Sequence, residues 1–281
     1  MTALTTFAAV ARTGGITAAA RDIFTVPSNV TARIKELEHE IGLPLFERHS
    51  RGMSLTPSGE RLLPYAERLV TLMSEAKQAA QDEGAPSGTL RIGSMETTAA
   101  VRLPKILAGF HRAWPRVRLS LRTGPTARLV EAVLAREIEG AFVAAPVEHA
   151  ELEFTPAFEE ELVLVSSPAI RNLAALQKAE LAALVFQAGC SYRQRLEQVL
   201  TRLGLPAFAR LEFGTLEGML GCVAAGMGVT MLPRAVVEAS GLKRDLRCHR
   251  IAGEEGRTTT LFIRRRDGYR GRALGALLEM I

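Results

Sequence analysis

Paired cysteines are absent from this chain. The three that occur, Cys190, Cys222 and Cys248, lie far apart with no Cys-x-x-Cys spacing, and the five histidines, His39, His49, His111, His149 and His249, are as scattered. That pattern argues against a structural metal site and for free thiols. No apolar run approaches the ~20 residues that cross a bilayer. The stretch from Met1 to Arg12 lacks the basic opening, apolar core and small-residue cleavage site of an export signal, so a cytoplasmic protein is expected. Complete catalytic motifs are missing too. Gly189-Cys190-Ser191-Tyr192-Arg193 begins like a nucleophile elbow but ends in Arg where Gly is needed. Gly226-Met227-Gly228 lacks the third glycine of a dinucleotide loop. Glu159-Glu160-Glu161 reads as a loop or strand edge. Neither an enzyme nor a bound cofactor is expected.

What is present is 281 residues, 47% of them hydrophobic, with a formal net charge of +5. That is a globular chain with room for two or three lobes. The basic excess invites a nucleic-acid reading, yet its distribution does not support one. Through Ser87 there are 9 Lys+Arg against 10 Asp+Glu, and the remainder carries 26 against 20. Any argument for DNA therefore rests on local geometry and not on overall charge.

The first ~58 residues read as short helices with tight joints. Leu4, Phe7, Ala8 and Ala11 form one apolar face, and Gly14-Gly15 ends that helix. Thr17 is expected to cap a second, alanine-rich helix through Ile23. Pro27 then opens a third helix, which buries Val30, Ile34, Leu37 and Ile41 and is capped by Gly42. Two helices joined by a short turn, the second amphipathic, make a helix-turn-helix. The polar turn Arg48-His49-Ser50-Arg51-Gly52, flanked by Leu45-Phe46 and Met53-Ser54-Leu55, reads as a β-wing with a basic tip. Thr56-Pro57 starts a long helix. In it Leu62, Ala66, Leu69, Met73, Ala76 and Ala80 repeat at 4, 3, 4, 3, 4, a heptad-like seam expected to pair with a second copy. Glu83 to Gly88 is a hinge by composition.

From Thr89 the texture changes to alternating strands and helices, which implies α/β sheets covered by helices. Strands are expected at Leu90–Gly93, Arg118–Arg122, Gly140–Ala144, Leu162–Ser166, Leu184–Gln187, Arg210–Phe213, Val229–Leu232 and Thr259–Ile263. Such folds bind small molecules where strands end and helices begin.

The strings Phe7-Ala8-Ala9-Val10-Ala11, Ala18-Ala19-Ala20, Ile34-Lys35-Glu36-Leu37-Glu38, Gly42-Leu43-Pro44-Leu45-Phe46-Glu47-Arg48 and Leu55-Thr56-Pro57-Ser58-Gly59 together resemble the LysR-type transcriptional regulators. Further on, the "RIGS", "EGAFVA" and "GCVAAGMGVTMLP" stretches also look like that family's effector domain. The resemblance implies an α+β, multi-domain chain. It would hold a winged helix-turn-helix DNA-binding domain (1–58), a linker and dimerisation helix with hinge (59–87) and an effector-binding domain (88–281). That last domain would resemble a periplasmic binding protein, with lobe I at about 88–160 and 266–281, lobe II at about 161–265, and a ligand cleft between them. Implied partners are double-stranded promoter DNA, a small-molecule effector of unassigned identity, further copies as dimer or tetramer, and RNA polymerase where the protein activates. Two departures stand out: Pro27 replaces a usual Gln that commonly reads a base, and Ala32 replaces an often basic residue. A solute-binding component of a transporter would suit the second half alone, but not the N-terminal helices.

At 100° per residue, Ser28, Ala32 and Lys35 point away from the buried face of the third helix, flanked by Asn29 and Thr31. Ser28 and Asn29 are the candidates for base edges, and Thr31 for a phosphate or a thymine methyl. Lys35 and Arg33 would meet phosphate, and Arg48 and Arg51 of the wing would reach phosphate or the minor groove. For the effector, three strand-to-helix corners carry hydroxyls and free N–H groups suited to an anionic or polar ligand. They are Ser94 to Thr98 (with Thr97 and Thr98), Thr123-Gly124-Pro125-Thr126, and Gly189 to Arg193 (with Cys190, Ser191 and Tyr192). Arg193 is expected to pair with a ligand carboxylate, and Glu217 is a weaker candidate.

Overall fold

A computed structural model describes residues 2–49, 52–176, 182–205 and 209–281. The chain forms two compact units, Met1–Gln81 and Asp82–Ile281.

The first unit runs α1 (Thr2–Thr13), α2 (Ile16–Asp22), α3 (Pro27–Ile41), β1 (Phe46–His49), β2 (Gly52–Leu55) and α4 (Pro57–Gln81). Phe7, Val10, Ala19, Ala20, Val30, Ile34, Leu37, Leu45 and Ala66 make its core, with the Phe7 and Phe46 rings 5.3 Å apart. Helix α1 buries Thr6, Phe7, Ala9 and Val10, so the apolar face is rotated from the expected one through Ala8 and Ala11. Helix α2 begins at Ile16 behind Gly15. Thr17 lies inside it, exposed, and caps nothing. Gly42 closes α3 in the left-handed conformation (φ 78°), its N–H donating to the Glu38 carbonyl, where a Cβ would be strained. Ile41 is 44% exposed, so the buried stripe stops at Leu37, before the expected last member. Thr56 caps α4: its Oγ1 accepts the Gly59 N–H at 3.0 Å and donates to the Pro44 carbonyl at 2.8 Å. At Gly59 the helix passes so close to the wing that a Cβ would sit 2.2 Å from the Leu45 carbonyl oxygen.

The second unit contains β3 (Gly88–Ser94), α5 (Glu96–Val101), α6 (Leu103–Ala113), β4 (Val117–Thr123), α7 (Thr126–Leu134), β5 (Gly140–Ala144), β6 (Leu152–Ser166) and α8 (Leu173–Leu176). It continues with β7 (Ala182–Phe186), α9 (Ser191–Arg202), β8 (Arg210–Phe213), α10 (Leu216–Ala224), β9 (Gly228–Pro233), α11 (Arg234–Ala239), β10 (Arg247–Arg250), β11 (Arg257–Arg265) and α12 (Arg272–Leu278). The strand order is β4-β3-β5-β11-β6-β9-β7-β8, with β10 also on β6. One half is built on parallel β3, β4 and β5. The other is built on parallel β7, β8 and β9. Two long antiparallel strands, β6 and β11, join them.

Strand β6 is three times as long as the Leu162–Ser166 segment that its apolar run suggests. Its earlier part carries Glu153, Pro156 and Glu159 to Glu161, the last three of which read in the sequence as a loop or strand edge. Each has an account here. Pro156 sits where the pairing register with β11 shifts, a place that tolerates a missing N–H. Glu153 pairs with Arg264, Glu160 with Arg102 and Glu161 with Arg234, while Glu159 accepts from Thr259.

His249 of β10 is buried beside Ser166, its Nε2 2.8 Å from Oγ. Ser166 Oγ already donates to the Ser167 carbonyl at 2.9 Å, so the histidine Nε2–H is the donor. Burial chiefly, and Arg247 secondly, hold this histidine below its ordinary value. The unfolded chain then binds more protons than the folded one between that lowered value and about 6.5. Stability is therefore full above about pH 6.5 and falls as the pH drops through that window. Urea midpoints of wild type and His249→Gln, compared at pH 7 and pH 5, should show the smaller acid loss in the variant; equal losses would remove His249 from the account.

Candidate DNA-binding surface and effector cavity

Helix α3 has one closed and one open side. Val30, Ile34 and Leu37 are buried. Ser28, Asn29, Ala32 and Lys35 are exposed, and Thr31 and Arg33 are half-buried at the flanks. Two hydroxyl and amide groups are already engaged locally. Asn29 Nδ2 donates to Thr25 Oγ1 at 3.2 Å, which leaves its carbonyl open. Thr31 Oγ1 donates to the Pro27 carbonyl at 3.0 Å. The turn before α3 carries Phe24 with φ 53° and 98% exposure, a feature the apolar pattern did not single out.

Glu36 and Glu40 are exposed, but Glu38 is not a free surface charge. Its Oε1 accepts the N–H groups of Leu45 at 2.8 Å and Phe46 at 3.2 Å, which ties α3 to the start of the wing. Arg48 lies within β1, opposite Met53, and not in the turn as expected. Arg51 lies outside the described residues. The wing is further held by the Met53 N–H donating to the Gly14 carbonyl at 2.9 Å.

In the second unit a cavity of about 200 Å³ opens between the two halves. It is smaller than the ~300–1,000 Å³ typical of drug-sized ligands. Its wall combines Met95, Glu96 and Thr97 after β3, Thr123 to Thr126 after β4, Phe186, Gln187, Cys190 and Tyr192 after β7, and Phe213-Gly214 after β8. Strand ends meeting helix starts thus converge from both halves, as the rule for α/β sheets requires. Of the residues singled out in the sequence, Thr97, Thr123, Gly124, Thr126, Cys190 and Tyr192 line this space.

Five others do not. Ser94 is fully buried and donates to the Met95 carbonyl at 2.9 Å. Thr98 is buried outside the lining. Ser191 bonds Thr126 Oγ1 at 3.3 Å, one half touching the other beside the cavity. Arg193 turns away to Glu212, at 2.6 Å, and Glu197, so its expected pairing with a ligand carboxylate is corrected. Glu217 is exposed on α10. The acid in the wall is Glu96, whose Oε1 accepts the Leu216 N–H of α10 at 2.8 Å. The sequence signal for it is slight: one carboxylate among the hydroxyls of the Ser94 to Thr98 corner.

Thr97 and Tyr192 stand apart from the other wall residues. Both are buried, and among the described residues neither Oγ1 nor Oη makes a hydrogen bond of good geometry, although the two hydroxyls neighbour each other. Burial raises the Tyr192 phenol above the ordinary tyrosine range, and the neighbouring Thr97 hydroxyl offsets a part of that. Cys190 is likewise raised by burial, which makes it a poor nucleophile.

A winged helix-turn-helix joined to a two-lobed α/β unit with a cavity between the lobes is the build of a ligand-responsive DNA-binding regulator. Residues 1–60 match the bacterial regulatory helix-turn-helix protein of the lysR family, and residues 83–281 match the LysR substrate binding domain. The HTH-type transcriptional regulator GltR of Bacillus subtilis is 43% identical over 98% of this chain and 93% of its own length. YofA of Bacillus velezensis is 43% identical over 97% and 94%. Among solved structures, a full-length OxyR variant from Pseudomonas aeruginosa superposes with a TM-score of 0.75 at 21% identity, covering 99% of this chain and 93% of that one. Full-length CbnR in complex with its target DNA superposes with a TM-score of 0.71 at 23% identity, covering 100% and 98%. The chain belongs to the LysR family of helix-turn-helix transcriptional regulators.

The two bonds to Glu38 carry a test of how the wing is held. Each bond to a charged acceptor contributes about 1.5–3 kcal/mol. Glu38→Ala should speed hydrogen exchange at the Leu45 and Phe46 amides by roughly 10- to 100-fold, read by NMR. Unchanged protection there would show that packing alone holds the wing base.

Proposed function

We propose that the exposed stripe Ser28-Asn29-Lys35 enters a major groove and reads promoter DNA, and that a small effector in the interlobe cavity adjusts this binding. The observation that carries the first part is the split of α3: its inner face is sealed by Val30, Ile34 and Leu37 while polar side chains fill the outer one. A groove admits one such helix, and base edges present distinct donors and acceptors to it. Asn29, with its carbonyl open, and Ser28 near the helix start are placed for base edges. Lys35 and Arg33 supply phosphate contacts, and Arg48 and Arg51 extend them from the wing. Pro27 offers no side-chain donor where the family usually carries Gln, so discrimination falls to these neighbours.

The partition 1–58, 59–87 and 88–281 follows from this reading, with the lobes at about 88–160 plus 266–281 and 161–265. The protein acts in the cytoplasm as a dimer or tetramer, and contacts RNA polymerase where it activates. No helix among the described residues is long and apolar enough to cross a membrane. Helix α4 supports self-association. Ala66 is buried in its own unit, but Leu69, Leu72 and Met73 are 47%, 46% and 38% exposed. The first part of the heptad-like seam thus packs at home, and the later part is free to meet a second copy. Two copies would present two α3 helices to half-sites about one turn of DNA (~34 Å) apart.

Two measurements test these statements. With genomic binding sites mapped and one taken for fluorescence anisotropy, Asn29→Ala should lose about 1–3 kcal/mol of discrimination at one base pair. Lys35→Ala should weaken all sequences alike and lower the salt slope by about 1. Loss of sequence preference in neither Asn29→Ala nor Ser28→Ala would remove α3 as the reader. Leu69→Asp with Leu72→Asp should convert the oligomer to a smaller species in analytical ultracentrifugation; an unchanged sedimentation coefficient would place the interface elsewhere.

A further inference from the structure

We infer that the effector carries no net negative charge: it is a small polar molecule whose hydroxyl, amide N–H or amine donates to Glu96 while a second polar group bridges Thr97 and Tyr192. This inference rests on the reading of the interlobe cavity as the effector site.

The argument starts from the charges in the wall. Among the described residues no Lys, Arg or His lines the cavity, and one carboxylate, Glu96, does. The arginines close in sequence to the wall are committed elsewhere: Arg122 pairs with Glu137 and Arg128 with Glu131. Arg193 is held by Glu212 and Glu197, and Arg195 donates to the carbonyls of Ala145, Glu254 and Arg257. An anion entering here would be buried without a cation and beside a like charge, a costly placement. Helix starts offset such a cost elsewhere, but here they are partly used. The N–H of Leu216 at the start of α10 is taken by Glu96, and that of Gly218 by Thr215 Oγ1. At α7, the Ala127 N–H is directed to the Gly189 carbonyl.

The positive half of the argument is the pair of unpartnered hydroxyls. Thr97 belongs to the β3 half and Tyr192 to the β7 half, and both are more than nine-tenths buried. Leaving a buried hydroxyl without a partner is unfavourable, so a ligand that bonds both recovers that cost and ties one half to the other. A hydroxyl can donate and accept, so a neutral group satisfies the pair without bringing charge. Among the described residues Glu96 accepts through Oε1 from Leu216, and its Oε2 is the acceptor offered to a ligand donor. Met95, Phe186 and Phe213 supply apolar contact for a short carbon frame.

The test uses the full chain and matched probes: lactamide with lactate, benzamide with benzoate, and propylamine with propionate. Binding is read by saturation-transfer NMR and calorimetry, for wild type and for Thr97→Val/Tyr192→Phe. The amides and the amine should outbind their carboxylate partners, and the double variant should bind them roughly tenfold more weakly. The variant alone should melt no lower than wild type, because it removes two unsatisfied hydroxyls. Glu96→Gln should narrow the gap between amide and carboxylate. Carboxylates that bind as well as or better than their partners, and lose affinity in the double variant, would overturn the charge assignment and leave the cavity as the effector site. Probe binding indifferent to Thr97→Val/Tyr192→Phe would overturn the cavity reading itself and the inference with it.

Discussion

The second unit depends on the pairing of charges along β6 and β11. These two strands are the covalent passage between the halves, and they run antiparallel from Arg257 opposite Glu161 to Arg265 opposite Leu152. A strand that starts in one lobe and ends in another crosses the interior, so a polar residue on its inner face loses water on the way, as Glu160 does. Glu160, 6% exposed, meets Arg102 through two bonds of 2.9 Å, and Arg102 also lies over the Phe158 ring. Arg265 is held by Asp267 and Glu151, and it keeps the Asp267 carboxyl below its ordinary range. Removing one member of such a pair leaves a charge stranded, which is more damaging than never having had the pair.

The cavity owes its position to those crossings. Beside the cavity, single hydrogen bonds link the lobes: Glu96 to Leu216, Ser191 to Thr126, and Ala127 to Gly189. Single contacts of this kind are individually weak. A ligand that swings a two-state balance from 1:99 to 99:1 must distinguish the states by ~5.5 kcal/mol. No one bond supplies that, whereas several interlobe contacts rearranged together do.

Much of the first unit was legible from residue spacing. The repeat Val30, Ile34, Leu37 specifies which side of α3 is buried, because a period near 3.6 has only one such solution. Gly42 and Thr56 announce their caps through chemistry that few other residues supply. Thr17 misled, because a capping residue type does not act as a cap one position inside a helix. The role of Glu38 is invisible to spacing, since the N–H groups that donate to it, those of Leu45 and Phe46, come from beyond the helix. In the second unit the length of β6 was hidden by acids whose partners, Arg102, Arg234 and Arg264, lie far along the chain. The missing strand β10 failed for a related reason: Arg247-Cys248-His249-Arg250 has no apolar alternation, and its pairing with β6 decides it.

The sequence by itself determined the family, the winged helix-turn-helix, the α/β character of the remainder and the strand-to-helix corners from which the cavity is made. These depend on periodicity, caps and turns, which act over a few residues. Only the tertiary structure decided the direction of each side chain at those corners. Arg193 is drawn out of the cavity by Glu212 and Glu96 is held in its wall by the Leu216 N–H, partners that folding alone brings near. The electrostatic sign of the cavity is therefore a property of the packed chain and not of its local motifs.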